Sequence, residues 1–180
     1  EYLKRIRSGA HRLDQLIQDV LTYSRVSGGE LNLERIDLHK LVTEIVSEYP
    51  GFREAVTIDA PLHPVRGNHA FVTQCLSNLI GNAVKFVRPG ERPRVRIKSE
   101  ASNGMVRLWI EDNGIGIDPQ YHGKIFGVFE RIHPGQLYEG TGIGLAIVRK
   151  AVERMGGRVG LESSAGKGSR FWIELPSCGE

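Results

Sequence analysis

Between Leu3 and Ser24, apolar or small side chains recur at Ile6, Ala10, Leu13, Ile17, Val20 and Ser24, in steps alternating four and three. That spacing is the heptad seam of a coiled coil or four-helix bundle. Leu3, Leu16 and Leu21 widen the stripe, and Gly28-Gly29 stops the helix. One amphipathic helix cannot bury such a stripe against itself, so the pattern calls for a second helix and a second copy of the chain. The alternative is a helix folded back on its own domain.

After the glycine pair the periodicity changes. Leu31 to Ile36 can form a short strand, and Asp37 reads as the N-cap of a helix running to about Tyr49. The alternation in "EAVTIDA" predicts a strand. A helix from about Asn68 to Val87 carries Val72, Leu76, Ile80, Ala83 and Val87 on one face. "RVRIKSE" and "MVRLWIED" form a hairpin about Asn103-Gly104, and "RVGLESS" and "SRFWIELP" form another about "AGKG". Between the hairpins lie a glycine-rich loop and a helix from about Ile143 to Met155. Strands arrive as hairpins more than as βαβ units. The expected fold class is therefore α+β, a two-layer sandwich: a mixed, mainly antiparallel sheet against about three helices, preceded by the long N-terminal helix.

Composition narrows the function classes. With 180 residues, 40% hydrophobic and 25% charged, the chain suits one compact domain with an appendage. A net charge of +3 gives no support to a nucleic-acid binder. Cys75 and Cys178 lie far apart without metal-ligand spacing, which favours a reducing, cytoplasmic location. No apolar run approaches membrane-spanning length, so no membrane contact is expected of these residues. The chain opens mid-pattern at "EYLKRIRSGA", as a piece of something longer would.

Three short motifs carry candidate chemistry. In "YEGTGIGLAIVRK", Gly140, Gly142 and Gly144 alternate directly before a helical run. A helix N-terminus offers free N–H groups and a favourable dipole to a phosphate, and glycine leaves room for it. The stretch lacks the third glycine of the dinucleotide fingerprint, and no GxxxxGK[ST] loop occurs. "DNGIGI", Asp112 to Ile117, sits at a strand exit. There a carboxylate can accept from an exocyclic amine while glycines let the chain approach a flat ring; an Asx turn is the alternative. In "NLIGNAVKF", Asn78, Asn82 and Lys85 fall on one helix face, opposite the apolar stripe. Two amides and an ammonium there can hold a hydrated Mg²⁺ and the phosphates around it.

The ordered set "NLIGNAVKF", "DNGIGI", "IFGVFERIH" and "GTGIGLAIV" resembles the ATP-binding catalytic domain of sensor histidine kinases. That domain belongs to the wider ATPase family of gyrase, the MutL repair proteins and the heat-shock chaperones. The resemblance runs from the N-terminal helix to "GKGSRFWIELP". It implies that residues 1–29 are the second helix of a dimerisation hairpin and residues 30–180 the catalytic domain.

Residue by residue, the resemblance implies that Asn82 coordinates Mg²⁺ and that Asn78 sits beside the γ-phosphate and its acceptor. It makes Lys85 the phosphate-contacting lysine and Phe86 the aromatic beside the nucleotide. Asp112 would accept from the adenine amino group, with Gly114, Gly116 and Ile117 passing the base. Gly140, Thr141, Gly142, Ile143, Gly144 and Leu145 would wrap the phosphates. Phe126 and Phe129 would anchor a lid over 133–139, with Arg131 beside it; core packing is the alternative for both phenylalanines.

Two departures stand out. Ser169 replaces a threonine whose hydroxyl supports the adenine-binding aspartate, and Val87 stands where Ser or Thr is common. The phosphoacceptor motif is absent. His11 lies on what resembles the second hairpin helix, whereas the acceptor belongs on the first, so no histidine here is expected to be phosphorylated. The implied activity is ATP·Mg²⁺-dependent phosphoryl transfer to a histidine, with a response-regulator receiver domain as partner and a homodimer through the N-terminal helix. The parent would be membrane-anchored or a soluble sensor of PAS or phytochrome type. A clamp-type ATPase and an anti-sigma-type serine kinase are the competing readings.

Overall fold

The computed structural model describes residues 2–28, 31–132, 138 and 140–178, apart from the side chains of Lys4, Arg5 and Ser8. Helix α1 (Tyr2–Ser27) leads into strand β1 (Glu34–Ile36), helix α2 (Leu38–Glu48) and a single turn, α3 (Pro50–Arg53). Strands β2 (Val56–Ile58) and β3 (Val65–Gly67), helix α4 (His69–Lys85), and strands β4 (Val95–Ser102) and β5 (Met105–Asp112) follow. A 3₁₀ turn (Pro119–Tyr121), helix α5 (Gly144–Arg154), and strands β6 (Arg158–Ser163) and β7 (Ser169–Pro176) complete the order.

Five strands form one sheet in the order β2-β4-β5-β7-β6, antiparallel except for the β2–β4 pair. Strands β1 and β3 make a separate two-stranded sheet. No sequence signal had marked β3. The expected α+β sandwich is the one observed, with α2, α4 and α5 contributing to a single core over one face of the sheet.

Local chemistry explains the boundaries. Asp37 caps α2 by accepting from Lys40 N, and Asn68 caps α4 by accepting from Phe71 N. Each such cap is worth about 1 kcal/mol. Asn103 and Gly104 both take positive φ, the geometry that a two-residue hairpin between β4 and β5 requires. Val72, Leu76, Ile80 and Ala83 of α4 are buried as expected. The helix stops at Lys85 with Phe86 as C-cap, so Val87, expected on the same stripe, lies beyond the helix.

Helix α1 has two apolar faces. Ile6, Leu13, Ile17 and Val20, the heptad stripe, are exposed. Leu16, Tyr23 and Val26 turn toward the domain instead, and Val26 is buried. Arg154 at the end of α5 donates to the carbonyls of Val26 and Gly28, both at 2.8 Å. A cation at a helix C-terminus satisfies orphan carbonyls and complements the dipole. The helix thus folds back on its own domain through one face and leaves the other bare. No helix among the described residues is long and apolar enough to cross a membrane.

Candidate functional site

The polar face of α4 is one wall of a cleft of about 420 Å³ that includes Asn78, Asn82, Lys85 and Phe86. The glycine loop passes directly against it. A Cβ at Gly144 would lie 3.2 Å from Asn78 Oδ1, and one at Gly140 would lie 3.3 Å from Lys85 Nζ. Gly142, at φ +78, makes the turn into α5 in a conformation that side chains disfavour. Among the described residues, the Nδ2 amide of Asn78 is buried without a hydrogen-bond partner. A buried donor left unpaired costs free energy, so a ligand or water that accepts from it is favoured there. The Lys85 ammonium lies 4.3 Å from the centroid of the Phe86 ring. This end of the cleft combines N–H donors with one cation, an environment for an anion.

Asp112, at the end of β5, forms the opposite corner. Its Oδ1 accepts from Gly114 N at 2.8 Å and from Ser169 N at 3.1 Å. Among the described residues no hydrogen bond falls on Oδ2, and Asp112 lines the cleft. Burial pushes this carboxyl up from an ordinary 3.8 to about 6, against the two amide hydrogen bonds that lower it. The segment that follows is pinned to the end of α4. Ile115 N donates to the Phe86 carbonyl at 2.9 Å, and a Cβ at Gly114 would collide with that carbonyl at 2.4 Å. The glycine therefore lets "DNGIGI" and "NLIGNAVKF" meet.

Ser169 meets Asp112 through its backbone. The hydroxyl, expected to support Asp112, pairs with Ser163 Oγ at 2.9 Å instead, and the support comes from the Ser169 backbone amide. The register explains this, because Asp112 and Ser169 are direct partners across β5 and β7.

Most of the expected residues converge on the cleft: Asn78, Asn82, Lys85, Phe86, Asp112, Gly116, Ile117, Arg131, Gly140, Thr141, Gly142, Gly144, Leu145 and Ser169. Gly114 and Ile143 act from behind its lining. The two phenylalanines do not form a pair. Phe126 packs edge-on against Phe171, whereas Phe129 is 60% exposed with φ at 65, which turns its side chain outward. The expected lid falls outside the described residues except for Tyr138. That residue lines the cleft, donates from Oη to Val87 O at 2.8 Å, and sets its ring 5.1 Å from Phe86.

Sequence reasoning missed the contribution of α1. His11, Arg12, Gln15 and Asp19 all line the cleft. Thr141 Oγ1 donates to Asp19 Oδ2, and Gln15 Nε2 donates to Asp19 Oδ1 at 3.0 Å. The steps of four from His11 to Gln15 to Asp19 place these side chains on the face away from the heptad stripe. Leu16, which the sequence grouped with the heptad stripe, packs with Tyr23 and Val26 against the domain beside them.

A divalent cation has few protein ligands here. Among the described residues no cluster of three or more His, Cys, Asp or Glu side chains is placed to hold a metal. A lone amide such as that of Asn82 fits Mg²⁺, which keeps several waters and takes further oxygens from phosphates.

The comparisons with known proteins agree with this geometry. Residues 67–178 match the family described as histidine kinase-, DNA gyrase B-, and HSP90-like ATPase. The chain is 33% identical to cyanobacterial phytochrome A of Nostoc sp., covering 98% of this chain and 23% of that protein. It is 36% identical to the sensor histidine kinase AruS of Pseudomonas aeruginosa, covering 96% of this chain and 19% of that protein. It therefore spans about a fifth to a quarter of the length of these relatives. Among solved structures, full-length ShkA in complex with AMPPNP matches with a TM-score of 0.80 at 31% identity, over 99% of this chain and 39% of that one. The mycobacterial sensor histidine kinase MprB matches at 0.69 and 26% identity, over 83% of this chain and 100% of that one. The chain belongs to the histidine kinase-, DNA gyrase B-, and HSP90-like ATPase family, and within it to the catalytic ATPase domains of sensor histidine kinases.

Proposed function

We propose that this domain binds ATP with Mg²⁺ in the cleft and transfers the γ-phosphoryl group to a histidine on a helix that partners α1. In the full protein the phosphoryl group then passes to a response-regulator receiver domain. One observation carries the reading: the polar face of α4, the Asp112 corner and the glycine loop meet around a single cleft. The neighbour bound to AMPPNP, an ATP analogue, supports the choice of nucleotide.

In this reading Asp112 accepts from the adenine amino group through Oδ2, while Gly116 and Ile117 pass the base. The Asn78 amide and the free N–H groups at the start of α5 donate to phosphate oxygens, and Lys85 offsets their charge. Gly140, Thr141, Gly142, Ile143, Gly144 and Leu145 shape that wall, with Arg131 at its rim. Asn82 would hold Mg²⁺, which when bound neutralises charge on the phosphates. In the transfer the bond from the γ-phosphorus to the bridging oxygen breaks, a bond to an imidazole nitrogen forms, and ADP leaves. Positioning and charge neutralisation dominate such chemistry, so the site needs no strong nucleophile of its own.

We also propose that the exposed Ile6–Leu13–Ile17–Val20 stripe joins a second copy of the chain in a bundle, and that these residues lie on the cytoplasmic side, where ATP is available. Titration calorimetry tests the site. The purified chain should bind ATP saturably, and Asn82→Ala should abolish the Mg²⁺-dependent part of the affinity. Binding indifferent to both Mg²⁺ and that substitution overturns the assignment.

A further inference from the structure

We propose that Asp19 is a specificity determinant of the nucleotide site, a carboxylate that competes with the nucleotide's outer phosphates for the loop before α5. The inference rests on the reading of the cleft as a nucleotide site. It concerns a residue outside every motif that reading uses.

The geometry points to it from three sides. Thr141 spends its hydroxyl hydrogen on Asp19 Oδ2, and the Thr141 Oγ1 itself accepts from Ile143 N at 3.4 Å. Asp19 is thereby joined through one hydroxyl to an amide at the head of α5, where the dipole favours a negative charge. Gly140 and Gly144, the residues flanking this turn, lie against Lys85 and Asn78. The side chains that would neutralise or donate to phosphates are therefore close to the carboxylate. Among the described residues the Asn78 amide nitrogen has no partner, and Asn78 lines the same cleft. Asp19 in turn is held by Gln15, one turn earlier on α1.

Two kinds of anion then meet at one helix end. Asp19 shares the lining of the cleft with Arg12 and His11 of its own helix, Lys85 of α4, and Arg131 and Glu130. The charge of a bound nucleotide grows with each phosphate, and the outermost phosphate comes nearest the loop. Repulsion from Asp19 therefore falls hardest on the triphosphate and least on the monophosphate. Relief comes when Asp19 gives up Thr141. Because Arg154 secures the far end of α1 through the carbonyls of Val26 and Gly28, release at Asp19 leaves the middle of the helix held by the apolar packing of Leu16 alone while its C-terminal end stays attached. Occupancy by ATP is thus linked to the attachment of the helix that carries the exposed stripe.

Asp19→Asn removes the charge while its amide oxygen still accepts from Thr141; its Nδ2 then faces Gln15, whose side-chain amide turns to present its oxygen as acceptor. Affinities of the full chain for ATP, ADP and AMP, measured by calorimetry at low and high salt, provide the test. The expected result is about tenfold tighter ATP binding in the variant at low salt, a smaller gain for ADP and almost none for AMP, with the ATP gain shrinking as salt screens the charge. In a Thr141→Val background, where the tether is already cut, Asp19→Asn should give a smaller gain. Equal gains for all three nucleotides, or none, overturn the inference and leave the nucleotide site standing. Failure of the wild-type chain to bind any of the three overturns both.

Discussion

The backbone amide of Ser169 donates to Asp112 Oδ1 at 3.1 Å, while the Ser169 hydroxyl turns away to Ser163. The carboxylate is thus held by a strand-to-strand register and not by a side chain. A serine or threonine at this position matters to Asp112 chiefly as backbone. Ser169→Ala is expected to change ATP affinity less than threefold by calorimetry, in contrast to substitutions of Asp112 itself.

The raised Asp112 pKa gives a pH signature. Donation from an adenine amino group favours the ionised carboxylate, and with a pKa of about 6 that form is lost between pH 7 and 5. ATP affinity should weaken by about tenfold over that range through this group. Asp112→Asn should bind weakly and remove this part of the dependence, so the difference between the two titration curves isolates it.

Stability runs the other way. The fold favours neutral Asp112, so its contribution is fully present below about pH 3.8 and is lost as pH rises through about 6. Without nucleotide, Asp112→Asn should therefore be more stable than wild type at pH 7, by on the order of 2 kcal/mol. The advantage should vanish by pH 4, read by urea unfolding at each pH. A variant that gains stability as it loses ligand is what a functional carboxylate in a buried corner predicts.

Gly144→Ala separates folding from binding. The residue begins α5 with ordinary helical geometry, where alanine is favoured over glycine by up to about 1 kcal/mol. Its added Cβ would sit 3.2 Å from Asn78 Oδ1, on the wall proposed to carry phosphate. The melting temperature should hold or rise slightly while ATP affinity drops by about tenfold or more. Parallel thermal unfolding and calorimetry check both halves.

Arg154→Ala should detach α1. Two carbonyls, Val26 O and Gly28 O, lose a charged donor, at a cost of about 2 kcal/mol. Amide exchange should rise along residues 20–28, with the core of α4 and the central strands unchanged. Unaltered exchange in α1 would show that Leu16, Tyr23 and Val26 hold the helix without it.

The exposed heptad stripe bears on assembly. Leu13 is 60% and Ile17 50% exposed on one face of α1. The chain should associate at raised concentration in sedimentation equilibrium, and Leu13→Glu with Ile17→Glu should keep it monomeric without changing its melting temperature by more than a few degrees. Burying two carboxylates in an apolar seam is unfavourable, whereas on an exposed helix face they cost little.

What the sequence determined by itself was whatever depends on local chemistry. Asp37 and Asn68 announced helix starts because a short polar side chain there satisfies a free amide, and Asn103-Gly104 announced a hairpin because both residues tolerate positive φ. The alternation in β5 and β7 and the stripe of α4 followed from burial of one face. The ordered motifs brought Asn82, Asp112 and Gly142 into one expected site. Only the tertiary structure decided the features that depend on distant residues meeting. The pairing of β3 with β1, the Ser169 amide behind Asp112, the outward turn of Phe129 and the closing of the cleft by His11, Gln15 and Asp19 are of this kind. Their energies come from contacts between segments far apart in the chain, and no local pattern, the steps of four along α1 included, says which distant segment is met. Helix α1 shows the division within one element: its heptad spacing was readable, but which of its two apolar faces meets the domain was settled by the complementary surface of α5.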